Sequence, residues 1–232
     1  MPDSLRLLTW NIRKALGTDR RRDPGRILDL VAELAPDVVL LQEADYRRPP
    51  RRAALPGDLV AQAGFAPLPI DTPGLGWHGN AMLTATGVSV AEVHPLALRG
   101  LEARGALIAD LETALGPLRI GSLHLGLTRW ARRWQQRQIV AHLATLPARP
   151  TVLGGDLNEW SRRRGLGALD RAFAISAPTA TFHSRRPVLA LDRVMTGPGL
   201  ALADLRCVDT AATRLASDHL PLLATIRRTT DG

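Results

Sequence analysis

Six short runs, each pairing apolar residues with a polar cluster, constrain this chain more than anything else in its sequence. They are Leu7-Leu-Thr-Trp-Asn11, Val39-Leu-Leu-Gln-Glu43, Ile120-Gly-Ser-Leu-His124, Val152-Leu-Gly-Gly-Asp-Leu-Asn158, Leu191-Asp-Arg-Val194 and Ser217-Asp-His-Leu-Pro221. An apolar run of four to six residues reads as a buried strand, and a polar cluster at its end reads as a group delivered to an edge. Strands that end together on one edge of a sheet sandwich gather such groups into one pocket.

The fourth run is the centre of the pattern. Val152 and Leu153 read as the end of a strand, and Gly154-Gly155 allows a close approach of the backbone. Asp156 and Asn158, two positions apart, point the same way if the extended conformation continues. A carboxylate at a strand's end can take a proton from water while a neighbouring amide holds the attacked group. Taken alone, Gly-Asp-x-Asn also fits an ordinary turn.

In order and residue type, the six runs resemble the endonuclease/exonuclease/phosphatase family, which includes deoxyribonuclease I, exonuclease III-like enzymes, sphingomyelinases and inositol polyphosphate phosphatases. The resemblance extends from Leu5 to about Ile226. It is closest to small bacterial members, through Trp10-Asn-Ile12, Leu41-Gln-Glu-Ala-Asp45, His78-Gly-Asn-Ala81, His124-Leu-Gly-Leu127 and Ser217-Asp-His-Leu-Pro221. The resemblance implies an α/β fold, a four-layer α-β-β-α sandwich of two mixed sheets flanked by helices, in a single domain over residues 1–232. It also implies a divalent-metal-dependent phosphodiester hydrolase. Asp156 would be general base and Asn158 would orient the water or phosphate. His219, paired with Asp192, would contact the phosphate, with His124 as a second contact. Glu43 would be the principal ligand of Mg²⁺ (or Mn²⁺), assisted by Asn11 and Asp218. Arg104 and Asn80 would meet substrate. Arg13 stands where relatives carry His or an acid, and no role is assigned to it.

Composition narrows the partner. The net charge of +8 points to polyanions, and Lys14 is the sole lysine, so the basic character is arginine, whose fork suits phosphate. Coding bias towards Arg is the competing explanation, which makes the clusters more informative than the total. Basic loops at 20–22, 47–52 and 162–164 follow strand ends expected to border the pocket. Nucleic acid, DNA foremost, is therefore the expected substrate. A phosphatase or phosphodiesterase acting on a phospholipid or sugar-phosphate headgroup would use the same residues. A binding protein with a degenerate site is a third reading, against which the full acidic and histidine set speaks. The hydrophobic fraction of 45% allows a sizeable core, no run is long enough to cross a bilayer, and the N-terminus has no signal-peptide pattern. The expectations are a cytoplasmic monomer and Cys207 as an inert core thiol.

Along the chain, Leu5–Trp10 reads as a strand. Asp23-Pro24 starts a helix whose buried face is Ile27, Leu28, Val31 and Leu34, and Pro36 stops it. Residues 37–41 form a further strand, and Leu59–Gly64 a short helix. Residues 81–84, 88–93, 106–111 and 118–123 read as a meander of strands. Trp130–Leu146 reads as an amphipathic helix with its tryptophans in the core and Arg132, Arg133 and Arg137 on polar faces. Residues 188–195 and 222–226 close the set of strands.

Overall fold

In the computed structural model, the described residues are 4–161, 165–176 and 179–229, and they form twelve strands and five α-helices. The strands are β1 (Leu5–Asn11), β2 (Val38–Gln42), β3 (Phe65–Pro67), β4 (Ala81–Ala85), β5 (Ser89–Leu98) and β6 (Arg104–Thr113). They continue as β7 (Gly116–His124), β8 (Thr151–Asp156), β9 (Ala174–Ile175), β10 (Asp192–Thr196), β11 (Leu200–Cys207) and β12 (Leu222–Arg228). The helices are α1 (Pro24–Leu34), α2 (Gly57–Gln62), α3 (Arg129–Thr145), α4 (Gly167–Ala172) and α5 (Ala211–Ala216).

One sheet has the order β11-β12-β1-β2-β4-β3 and the other β5-β6-β7-β8-β10-β9. Each contains one parallel pair near its centre, β1 with β2 and β7 with β8, and antiparallel neighbours around it. A parallel pair needs a long crossover, which α1 and α3 supply. The sheets are therefore mixed.

Both faces of the central strands are buried, which explains why their sequences are apolar almost without interruption. Leu5, Leu7 and Leu40 meet Leu107, Ile120 and Val152 between the sheets. On the other face, Leu8, Trp10 and Leu41 pack beneath Ile27 and Val31 of α1. Ile108, Leu123 and Leu153 pack beneath Ile139 of α3 and Leu169 of α4. The layers are thus α-β-β-α, as expected. Helix α1 begins as its sequence indicates: Asp23 accepts a hydrogen bond from the Arg26 amide at 2.9 Å, with Pro24 in the first turn.

Several local expectations give way. The four-strand meander is split, because β4 stays in the first sheet with β2 and β3 while β5, β6 and β7 build the second. The strand expected over 188–195 is β10, which starts at Asp192, and β11 was not read from the sequence. Helix α3 presents a different face from the one its large apolar residues suggest. Ala131, Arg132, Gln135, Gln136 and Ile139 are buried, whereas Trp130 and Trp134 are exposed. The polar members of that stripe tie down loops: Gln135 accepts from the Gly126 amide at 2.8 Å, and Gln136 donates to the Gly165 carbonyl at 2.5 Å. Cys207 is only half-buried, with burial and the nearby Asp209 pushing its thiol up to about 11, so it stays a neutral thiol. No helix among the described residues is long and apolar enough to cross a membrane.

The two glycines of β8 admit protein rather than ligand. A Cβ on Gly154 would lie 2.9 Å from Leu40 Cδ1 in the facing sheet, while one on Gly155 would lie 1.9 Å from the Leu123 carbonyl oxygen. Gly155 also has φ +149°, outside the range of ordinary side chains. Gly155→Ala should therefore destabilise the fold by about 3 kcal/mol or more, from strain and overpacking together. Gly154→Ala should cost less, because the end of a leucine can turn aside. Urea denaturation of the two variants against wild type checks the order.

Candidate active site

Strand register builds the site. Asp156 ends β8, with His124 of β7 in register on one side and Asp192 of β10 on the other. In the facing sheet, Asn11 ends β1 in register with Gln42 of β2. Gln42 donates to Thr9 Oγ1 and to Ser122 Oγ, both at 3.2 Å, so a buried amide links the sheets beneath the cleft. The loop before β12 supplies Asp218 and His219, and Trp10 Nε1 donates to the His219 carbonyl at 2.9 Å.

Asp156 is the hub. Its Oδ2 accepts from Asn11 Nδ2 at 3.0 Å and lies 3.5 Å from His124 Nε2 and 3.7 Å from His219 Nε2. Its Oδ1 accepts from the Asn158 amide at 2.9 Å. Burial raises its pKa to about 6 against the downward pull of His219. His219 Nδ1 pairs with Asp192 Oδ2 at 2.9 Å, and Thr181 Oγ1 donates to the same oxygen at 2.5 Å. Burial opposes the charged imidazole of His219, but Asp192 and Asp156 outweigh it and raise its pKa to about 10. His124 behaves oppositely. Burial, and then the guanidinium of Arg104, hold it well below the usual imidazole value, so it is neutral. Arg104 Nη1 lies 2.7 Å from His124 Nε2. Two neighbouring histidines thus carry different charges, which the sequence does not show.

Opposite this hub stands a second wall. Glu43 contacts Lys14 Nζ and pairs with Arg47 Nη2 at 3.1 Å. Burial acts against its charged form, but these two cations hold its pKa below the usual value. Asp218 Oδ2 is 3.3 Å from Arg13 Nε. Glu43, Asp156 and Asp218 all line one cavity of about 520 Å³, together with Asn11, Arg104, His124, Asn158 and His219. Glu43 and Asp218 offer oxygen donors without a thiolate beside them, a set suited to a hard divalent cation. The carboxylates of Asp156 and Asp192 and the ring of His219 also offer ligand atoms within 4.8 Å of one another, close enough to hold a metal ion.

Two expectations need correction. Asn80 does not line the cavity: it is fully buried, and its Nδ2 donates to the Gly105 carbonyl at 2.9 Å, beside Arg104. Asn158 does not continue the strand. Its φ of +51° places it in a turn closed on Asp156, and its side chain donates to the Leu125 carbonyl at 2.9 Å. It still borders the cavity, so Gly-Asp-x-Asn forms a turn and places both of its polar side chains at the cleft. Of the basic loops, Arg22 and Arg47 line the cavity, and 162–164 lie outside the described residues. Sequence reasoning missed Lys14 and Arg13 as partners of Glu43 and Asp218, and Thr181 as a partner of Asp192. A sole lysine three residues from Asn11 was a signal for the first; Thr181 offered none.

Residues 8–219 match the model of the Endonuclease/Exonuclease/phosphatase family. Over 252 aligned residues the chain is 27% identical to the uncharacterised protein YbhP of Escherichia coli K12, covering 97% of this chain and 99% of that protein. Among solved structures, an endonuclease/exonuclease/phosphatase from Bacteroides vulgatus superposes with TM-score 0.77 at 16% identity, covering 97% of this chain and 99% of that one. D. rerio TDP2 complexed with a single-strand DNA product superposes with TM-score 0.71 at 17% identity, with coverage of 97% and 99%. The chain belongs to the endonuclease/exonuclease/phosphatase family.

Proposed function

We propose that this member is a divalent-metal-dependent nuclease that hydrolyses phosphodiesters of DNA. The observation that carries the chemistry is Asp156: a buried carboxylate with a pKa raised to about 6, between an imidazolium and an amide donor, at the floor of a cleft rimmed by arginines. The rim supports the substrate. Arg13, Arg22, Arg47 and Arg104 all line the cavity, in a chain of net charge +8. The single-strand DNA product held by the TDP2 relative accords with this choice.

In this reading Asp156 accepts the proton of the attacking water, with Asn11 steadying the carboxylate by its hydrogen bond. His219 stays protonated through neutral pH because Asp192 holds its Nδ1, leaving Nε2–H to donate to a phosphoryl oxygen. Neutral His124 orients Arg104 at the same wall. Glu43, with Asn11 and Asp218, would hold Mg²⁺ or Mn²⁺, which neutralises charge on the phosphoryl and departing oxygens when bound.

Asp156→Ala and His219→Ala should each lower turnover about 100-fold or more while the protein stays folded by circular dichroism. Wild-type rates in either variant would remove the scheme. EDTA should abolish activity, and Glu43→Gln should raise the Mg²⁺ concentration needed for half-maximal rate. For the free enzyme, kcat/KM should rise with pH through about 6 as Asp156 loses its proton, and fall towards about 10 as His219 does. Plasmid, single-stranded DNA, RNA, a soluble phosphodiester and a sugar phosphate, assayed side by side, test the substrate. Hydrolysis confined to the sugar phosphate would transfer the same chemistry to the phosphatase reading.

A further inference from the structure

The outer face of α3 is unusual for a helix that covers a core. Trp130, Arg133, Trp134 and Arg137 follow one another at helical spacing on a single face, and these four side chains line a surface cavity of about 380 Å³. Trp130 is 61% and Trp134 38% exposed. Their ring centroids are 5.5 Å apart with planes tilted by 48°, so the indoles form a wedge rather than a closed stack. Helix α3 contains no acidic residue, and neither Arg133 nor Arg137 has an ion-pair partner among the described residues.

This face is rigidly joined to the catalytic cleft. Leu127, just before the helix, lines the 520 Å³ cavity. Buried Arg132 pairs with Glu159 at 2.8 Å, next to Asn158, and Gln135 holds the Gly126 amide. At about 1.5 Å per residue, the tryptophans sit roughly 1.5 and 7.5 Å along the helix axis from its start at Arg129, a span of about two nucleotides of a stacked strand.

We infer that this face is a stacking platform for unpaired bases of a nucleic-acid strand whose scissile phosphate lies in the cleft. The inference rests on the nuclease reading and adds to it a preference for single-stranded segments. Open indole faces take any base, and guanidiniums in the same slot take the flanking phosphates. An anionic membrane surface is the other polyanion such residues could meet. It is disfavoured because membrane-surface helices segregate their arginines from their tryptophans, whereas here the two types alternate around one concavity.

The test measures binding in EDTA, where no turnover occurs, by fluorescence anisotropy with a labelled oligothymidylate and an abasic oligomer of equal length and charge. Wild type should bind the base-bearing strand about ten-fold more tightly. Trp130→Ala and Trp134→Ala should erase that preference while cleaving a small soluble phosphodiester at the wild-type rate. Arg133→Ala and Arg137→Ala should weaken both oligomers alike. Equal affinity of wild type for the two strands, or unchanged preference in the tryptophan variants, overturns the platform. So does tryptophan-dependent binding to phosphatidylglycerol vesicles without oligonucleotide binding. DNA cleavage that ignores both tryptophans rejects the platform alone, and base-dependent binding without cleavage in Mg²⁺ rejects the nuclease reading alone.

Discussion

The placement of β8 between β7 and β10 is the constraint on which the rest depends. Its register sets Asp156 in one row with His124 and Asp192, and a slip of one residue would turn Asp156 to the other face of the sheet. Gly155 makes that placement possible, since no larger residue fits beside the Leu123 carbonyl. The facing sheet then brings Asn11 to the same oxygen of Asp156, and Gln42 joins the two sheets beneath. A buried polar row of this kind is tolerable only because nearly every member has a partner.

Burial also divides the labour among like groups. Asp156 and Asp192 are both carboxylates at strand ends, but Asp192 is committed to His219 and Thr181, while Asp156 is the carboxylate that borders the open cavity. His219 and His124 are divided in the same way, one held in its charged form against burial by its carboxylate neighbours and the other kept neutral by burial and then by Arg104. Outside the cleft, Arg132–Glu159 and Arg119–Asp110, at 2.8 and 2.7 Å, are buried pairs that hold loops and strands rather than chemistry. They show that counting arginines does not identify the phosphate-facing ones. Arg132 is among the most buried side chains in the molecule, while Arg133 beside it is exposed.

Much of the architecture could be read directly from the apolar runs. Strands buried on both faces are apolar throughout, and α1 announces itself with Asp23, Pro24 and a four-residue stripe. In helix α3, size and polarity do not mark the inner face. Two glutamines and an arginine are buried there since loops before and after it need their hydrogen bonds, and the tryptophans are left outside. Asn80 was legible as important but not as a buried clamp on Gly105, because its partner lies on a different strand.

The sequence by itself determined the list of strand-ending polar groups, their order, and the basic excess around them, because these are properties of local pattern and composition. Only the tertiary structure decided which groups touch Asp156, which histidine is flanked by carboxylates and which by a guanidinium, and which arginines line the cleft. Those outcomes depend on distances between residues far apart in the chain and on the removal of water from them, and neither quantity is encoded in any single stretch.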